Sequence, residues 1–513
     1  MLRKKNRDIV NQVEFVSIET LVPEDHILRA IEKSINFDFI YEEVKDLYSE
    51  NNGRPSIDPV VLIKLLMLQV IFGIKSMRQT IKEVEVNIAY RWFLGYGLQE
   101  KIPHFSTFGK NYERRFKESD LFEKIFVRIL IEAIECGFIA ADAVFIDATH
   151  IKASANKNKY IKKMAQHRAH KYKRDLLYEI NLDREAHGKK PFADTEVENK
   201  DNDKSDNNGN NDSGNSGDDI NIQEENNLDE RNAKEIKVST TDPESGMFCK
   251  GEKERCFAYT ASVACDKNNF VLAVKVAPGN VHDSQVFSEL FQEVNRRFPE
   301  IEAVVADAGY KTPGICREII EAGKLPIMPY KRPMTKDGYF YKKEYVYDEY
   351  YDCYICPNNQ VLEYTTTNRN GYREYKSNPQ ICKECPLRLQ CTQSKNYIKV
   401  VTRHIWEEYM EVAEDIRHTN WGKELYKKRG ETIERVFADA KEKHGMRYTH
   451  LRGLRKVSHY LTLLFACMNL KKLALWKKKQ GTLPPAVPAS SLLLSKIQNL
   501  FALKGNPAFC IAA

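Results

Sequence analysis

No apolar run in the 513-residue chain approaches the roughly 20 residues that a bilayer crossing needs. The longest, residues 60–73 (VVLIKLLMLQVIFG), is broken by Lys64 and Gln69 and reads as a core helix, so no membrane partner is expected. Residues 1–15 have a basic start with no apolar stretch behind it, which sets aside a secretion signal. The twelve cysteines then belong in a reducing compartment, where close pairs indicate metal more than disulfides. Outside one stretch, basic residues outnumber acidic ones. Residues 194–231 hold thirteen Asp or Glu against three Lys or Arg, so of the net +7 the rest of the chain carries +17. Such a remainder attracts a polyanion, although solubilising surface charge accounts for it equally.

With 42% hydrophobic and 29% charged residues, the chain has the composition of a globular protein with a polar insert. Residues 1–138 read as a helical domain. Asp58 and Ser76 are candidate helix caps, Gly73 a stop, and Arg78, Arg91, Lys110, Arg114 and Arg115 lie near helix ends, a helix-turn-helix-like pattern suited to DNA. A helical bundle with a basic face explains the same letters. Residues 139–333 alternate strands and helices, the pattern of an α/β layer. Within them 155–235 are an insert, first basic and helical (Lys157 to Arg174), then acidic and too polar to fold. Residues 334–400 form a tyrosine- and cysteine-rich insertion, 401–478 return to helices, and 479–513 are a tail with apolar spacing suited to packing or dimerising.

In the α/β layer, Asp147 follows the short strand pattern AVFI, and Asp307 follows VVA. Reactive groups collect at strand ends in open sheets, but an aspartate there also serves as a turn former or cap. Residues 431–445 (ETIERVFADAKEKHG) carry an apolar helical stripe of Ile433, Val436, Phe437 and Ala440. Glu434 and Lys441, seven residues apart, share a line on its edge. That line is either the wall of a site or a solvated flank laced by Glu431–Arg435 and Asp439–Lys443 pairs. Three acidic oxygen donors suit a pair of Mg²⁺ ions.

The order Asp147, Asp307, Glu434, with the glutamate inside Tyr426-x2-Arg429-x4-Glu434-x6-Lys441, resembles the DDE transposases of bacterial insertion sequences with a Y-R-E-K signature. The Arg429–Glu434 gap is one residue longer than that pattern. AVFIDATHIKAS, PGNVHDS and VVADAGYKTPG resemble the family's strand motifs, and residues 53–79 its amino-terminal domain. The resemblance implies an RNase H-like core, with Asp147 on the first strand, Asp307 after the fourth and Glu434 on a late helix. It implies two Mg²⁺ ions (or Mn²⁺) held by these acids, cleavage at transposon ends, and transfer of the freed strand to target DNA. Tyr426, Arg429 and Lys441 would contact DNA phosphates. The partners implied are double-stranded DNA, as inverted repeats and target, and a second copy in a homodimer, within the bacterial cytoplasm at the nucleoid. An inactive derivative that only binds ends, as a repressor or architectural protein, and a nuclease that joins nothing are the other readings.

Cys353-x2-Cys356 and Cys382-x2-Cys385-x5-Cys391 match the spacing of a zinc ribbon, with one cysteine more than a tetrahedral site takes. We expect a structural Zn²⁺ there. His150, three residues after Asp147, is within reach of a substrate but reads by default as a surface strand histidine; His282 and Asp283 are candidates to assist the acids, with a turn-and-cap role for Asp283 ahead of its helix the alternative.

Overall fold

The computed structural model describes residues 15–49, 56–165, 173–192, 234–250, 254–331 and 335–481. The acidic stretch 194–231 and the tail beyond residue 481 lie outside them. The chain divides into two compact units, residues 1–161, 238–307 and 420–513 in one, 162–237 and 308–419 in the other.

In the first unit the long strand Glu254–Cys265 organises a mixed sheet. Ala143–Lys152 runs antiparallel along one edge, while Gly246–Lys250 and Val271–Pro278 lie end to end along the other. Ala303–Ala306 pairs in parallel with the outer side of Ala143–Lys152. Gly246–Lys250 is an edge strand that the sequence reading did not separate, so Asp307 follows the fifth strand of this sheet and not the fourth. The strand expected to stop at Asp147 continues to Lys152, because Glu254–Cys265 supplies a partner for each of those residues. Strand length here is set by pairing and not by the local apolar pattern, which Asp147, His150 and Lys152 interrupt.

The amino-terminal helices belong to the same unit. Asp58 caps Pro59–Ile71 by accepting from the Val60 amide at 2.7 Å, and Ser76 caps Met77–Val86 by accepting from Gln79 at 3.2 Å. Pro59–Ile71 is buried on nearly every side. Its Lys64 reaches Glu32 at 2.8 Å between the rings of Phe37 and Phe93, so this charge is paired inside the bundle. Helix Leu454–Gln480 packs against Leu121–Glu135, Pro59–Ile71 and the sheet. Its buried Asn469 side chain takes the Val271 amide at 2.9 Å and donates to the Val271 carbonyl at 2.7 Å, fixing helix to strand. Among the described residues no helix is long and apolar enough to cross a membrane.

In the second unit, strands Val346–Asp348, Cys353–Ile355, Val361–Thr367, Tyr372–Ser377 and Val400–His404 form an antiparallel sheet in which each strand pairs with the next. Asp183 of helix Lys173–Ala186 accepts from Thr367 at 2.5 Å and from Arg373 at 2.7 Å, holding that helix against the sheet.

Gly73, after Pro59–Ile71, has φ +63°, and a Cβ there would stand 2.8 Å from the Lys443 carbonyl oxygen. Both the left-handed backbone and the contact demand glycine. Gly73→Ala is expected to lower stability by about 1–3 kcal/mol in denaturant unfolding; an unchanged midpoint contradicts the contact.

Candidate active site

The parallel register pairs Ile146 with Ala306, the last residue of its strand. The next residues along the two strands, Asp147 and Asp307, therefore stand side by side where the shorter strand ends, neighbouring strands being about 4.8 Å apart. Asp147 is not terminal on its own strand. It lies just beyond the end of its neighbour, which opens one side of it.

Burial raises the Asp147 carboxyl to about 6, against the pull of Arg429 and an amide bond from Ala148, and the charges of Asp307 and Asp283 push it further up. Arg429 donates to Asp147 at 2.6 Å and is itself only 8% exposed. Its guanidinium also donates to the Tyr426 hydroxyl at 3.4 Å and lies 5.8 Å from that ring, so Tyr426, Arg429 and Asp147 are contiguous.

The residue that lengthens the Arg429–Glu434 gap falls in a break between two helical segments. Lys428–Glu431 is a 3₁₀ turn after helix Asn420–Lys427, Thr432 has φ −111° and ψ −100°, and the α-helix begins only at Ile433, not at Glu431. The turn carries Arg429 inward to Asp147. Ile433, Val436, Phe437 and Ala440 are the buried face of Ile433–Lys443, as the stripe predicts. Lys441 is half-buried. Burial lowers its pKa, and the Asp147 carboxylate opposes that shift. The line shared by Glu434 and Lys441 thus borders the acids at its Lys441 end. Glu434 is exposed and close to Gly430, 3.9 Å from the position of a Cβ there, and it forms no hydrogen bond or ion pair among the described residues. On the solvent side Lys443 pairs with Asp439 at 2.7 Å.

The carboxyl end of this helix is held from several sides. His444 Nδ1 lies 2.9 Å from the Val70 carbonyl, and the Met446 amide donates to Ala440 at 3.0 Å. Thr449 donates to the Lys152 carbonyl at 2.9 Å, which ties the segment after the helix to the Asp147 strand.

Asp283 is the aspartate that sequence reasoning undervalued. His282, not Asp283, caps helix Asp283–Arg297. Asp283 is the first residue of the helix, its carboxyl raised by burial and by Asp307. Its position after a capping residue and ahead of an amphipathic helix was the only signal. Burial and neighbouring lysines push His150 down to about 4, its ring lying against Phe248, so it is neutral at pH 7. Among the amino-terminal cations, Arg91 is spent on the carbonyls of Glu85, Gly97 and Glu100, and Arg115 bonds Leu47 and lies 4.3 Å over the Tyr48 ring. Lys110 and Arg114 are exposed.

Among the described residues no group of three or more His, Cys, Asp or Glu stands arranged to hold a metal ion. The donor set fits a hard divalent cation in kind, because the carboxyls of Asp147 and Asp283 are raised by burial and by the charge of Asp307, and such oxygens call for positive charge beside them. Arg429 supplies that charge here.

Two family models match the chain: a transposase DDE domain over residues 355–474 and a transposase domain (DUF772) over residues 16–114. Tyr426, Arg429, Glu434 and Lys441 fall within the first; Asp147 and Asp307 lie between the two matches and rest on geometry. No curated protein and no solved structure matches the chain.

The raised Asp147 carboxyl carries a sign. Its proton stabilises the fold below the ordinary value of 3.8, and that contribution is lost as pH rises through about 6. In a carbon-13 NMR titration of the aspartate carboxyls, Asp147 is expected to titrate near 6, and Arg429→Gln to move it higher, because the largest pull against burial is then gone. A value unmoved or lowered by that substitution contradicts the ion pair.

Proposed function

The chain is a DDE transposase of an insertion sequence, and from that premise we propose that Asp147, Asp307 and Glu434 are its catalytic acids. Its mixed α/β layout with a transposase DDE domain fits an RNase H-like core, and the family implies DNA as its partner. The observation that carries the proposal is the parallel register setting Asp147 beside Asp307, with Arg429 paired to Asp147 and Lys441 close enough to feel the Asp147 charge.

Asp147 and Asp307 would hold divalent magnesium, with Glu434 as a further ligand from the helix. Bound there, the ion would activate the attacking oxygen and offset charge on the phosphate. In the first reaction a water oxygen bonds to phosphorus at the transposon end, the bond to the 3′ oxygen breaks, and that oxygen takes up a proton. In the second, the freed 3′-hydroxyl attacks a target phosphodiester, losing its proton and displacing the target's 3′ oxygen. The side chains position and neutralise. Arg429 offsets the Asp147 charge in the resting site, and its fork-shaped donors suit a phosphate once that carboxylate is otherwise occupied. Tyr426 steadies Arg429. Lys441, already desolvated on the helix edge, gains from a phosphate beside it. Among the described residues, exposed Arg78, Lys110 and Arg114 are amino-terminal cations open to the DNA backbone, in the helix-turn-helix-like role. We further propose that the protein works as a homodimer in the bacterial cytoplasm, pairing two ends.

Asp307→Asn is expected to reduce joining of a terminal-repeat duplex to target DNA by at least about 100-fold with Mg²⁺. Binding of the same duplex, read by gel shift, should persist. Wild-type joining by this variant would overturn the assignment. A wild-type chain that nicks ends and yields no joined product would establish a nuclease instead.

A further inference from the structure

The five cysteines of residues 353–391 exceed one tetrahedral site, and their placement in the second unit separates them. Along strand Cys353–Ile355 successive side chains alternate faces. Tyr354 belongs to the apolar cluster of Tyr345, Leu362, Tyr375 and Val401, and Cys356 packs against that cluster, so Cys353 faces the other way. Cys353 is buried, its cross-strand neighbours Asp348 and Glu363. The other four are half-buried.

Cys356 starts the turn between Cys353–Ile355 and Val361–Thr367. Its amide donates to the Gln360 carbonyl at 2.9 Å, and the Gln360 amide lies 3.4 Å from its Sγ, an N–H placed as a thiolate requires. Cys391 closes the short helix Arg388–Cys391 and packs on the same cluster, its Sγ 3.1 Å from the Tyr345 hydroxyl. Cys382 and Cys385 belong to one turn, the Cys385 amide donating to the Cys382 carbonyl at 3.3 Å. The Arg388 amide then bonds the Cys385 carbonyl at 3.2 Å, so this turn leads directly into the helix ending at Cys391.

We propose that Cys356, Cys382, Cys385 and Cys391 form a tetrathiolate Zn²⁺ site at this end of the five-stranded sheet, and that Cys353 is not a ligand. The sheet needs such a staple. Three of the five residues in its cluster are tyrosines, and so small a core buries little apolar surface. Among the described residues the thiols are not gathered within reach of one ion. Zn²⁺ would draw the four sulfurs together, the four thiol protons passing to solvent as the sulfur bonds form. The bound ion would tie segment 379–391 to the hairpin at Cys356.

The test uses the full chain purified without chelator. Mass spectrometry of the metal should find about one zinc per chain. Exchange with Co²⁺ should give the visible bands and thiolate charge-transfer band of a tetrahedral all-sulfur site. Cys353→Ser should keep the metal and that spectrum, while Cys356→Ser and Cys385→Ser lose at least about tenfold in affinity. Cys391→His keeps a ligand and guards against loss by misfolding, and should bind Co²⁺ with a spectrum shifted to three sulfurs and one nitrogen. No Co²⁺ bands in the wild-type chain, or loss of metal in Cys353→Ser, would overturn the proposal. Metal content is read without DNA, so this failure and failure of the transposase mechanism are separate results.

Discussion

Burying the Asp147 carboxylate beside Asp307 is opposed by desolvation and by like charge, and the Arg429 guanidinium is what offsets both. A removed partner would leave an uncompensated buried charge, the costly case for ion pairs. The pair therefore constrains everything around it. It requires the parallel register that places the acids together, the 3₁₀ turn that swings Arg429 inward, and a helix anchored closely enough to keep that turn in place. The same chemistry leaves the site ready for other positive charge, since a cation at Asp147 would relieve the repulsion that Arg429 now offsets.

The amino-terminal helices contribute to that anchoring. Val70 and Gly73 touch the carboxyl end of the helix carrying Glu434, through the His444 bond and the close approach to Lys443. Arg91 and Arg115 hold loops and rings of the bundle. The region matched by the transposase domain model is thus built into the first unit with the sheet and the long helix Leu454–Gln480, and its fold is coupled to the geometry of the acids.

Much of this was legible in the residues, for physical reasons. The apolar stripe of Ile433, Val436, Phe437 and Ala440 reports burial directly, and so does the near-continuous apolar run of Pro59–Ile71. Asp147 and Asp307 were visible as acids at the ends of apolar strand patterns. What could not be read locally depends on partners distant in sequence. The strand beyond Asp147 exists because Glu254–Cys265 pairs with it; Gly246–Lys250 is a strand for the same reason. Arg429 was expected on DNA, and its place on Asp147 depends on the Thr432 break, which the letters KKRGET do not announce. Asp283 looked like a cap because a histidine seldom takes that position, yet His282 does.

The central claim is that Asp147, Asp307 and Glu434 surround one site for divalent cations. Fe²⁺ can replace Mg²⁺ at oxygen ligands, and with ascorbate and peroxide it cuts the peptide backbone near where it binds. Mapping the fragments of the full chain tests the claim directly. The account predicts cuts clustered near all three acids, suppressed together by excess Mg²⁺. Cuts near Asp147 and Asp307 with none near Glu434 would contradict it.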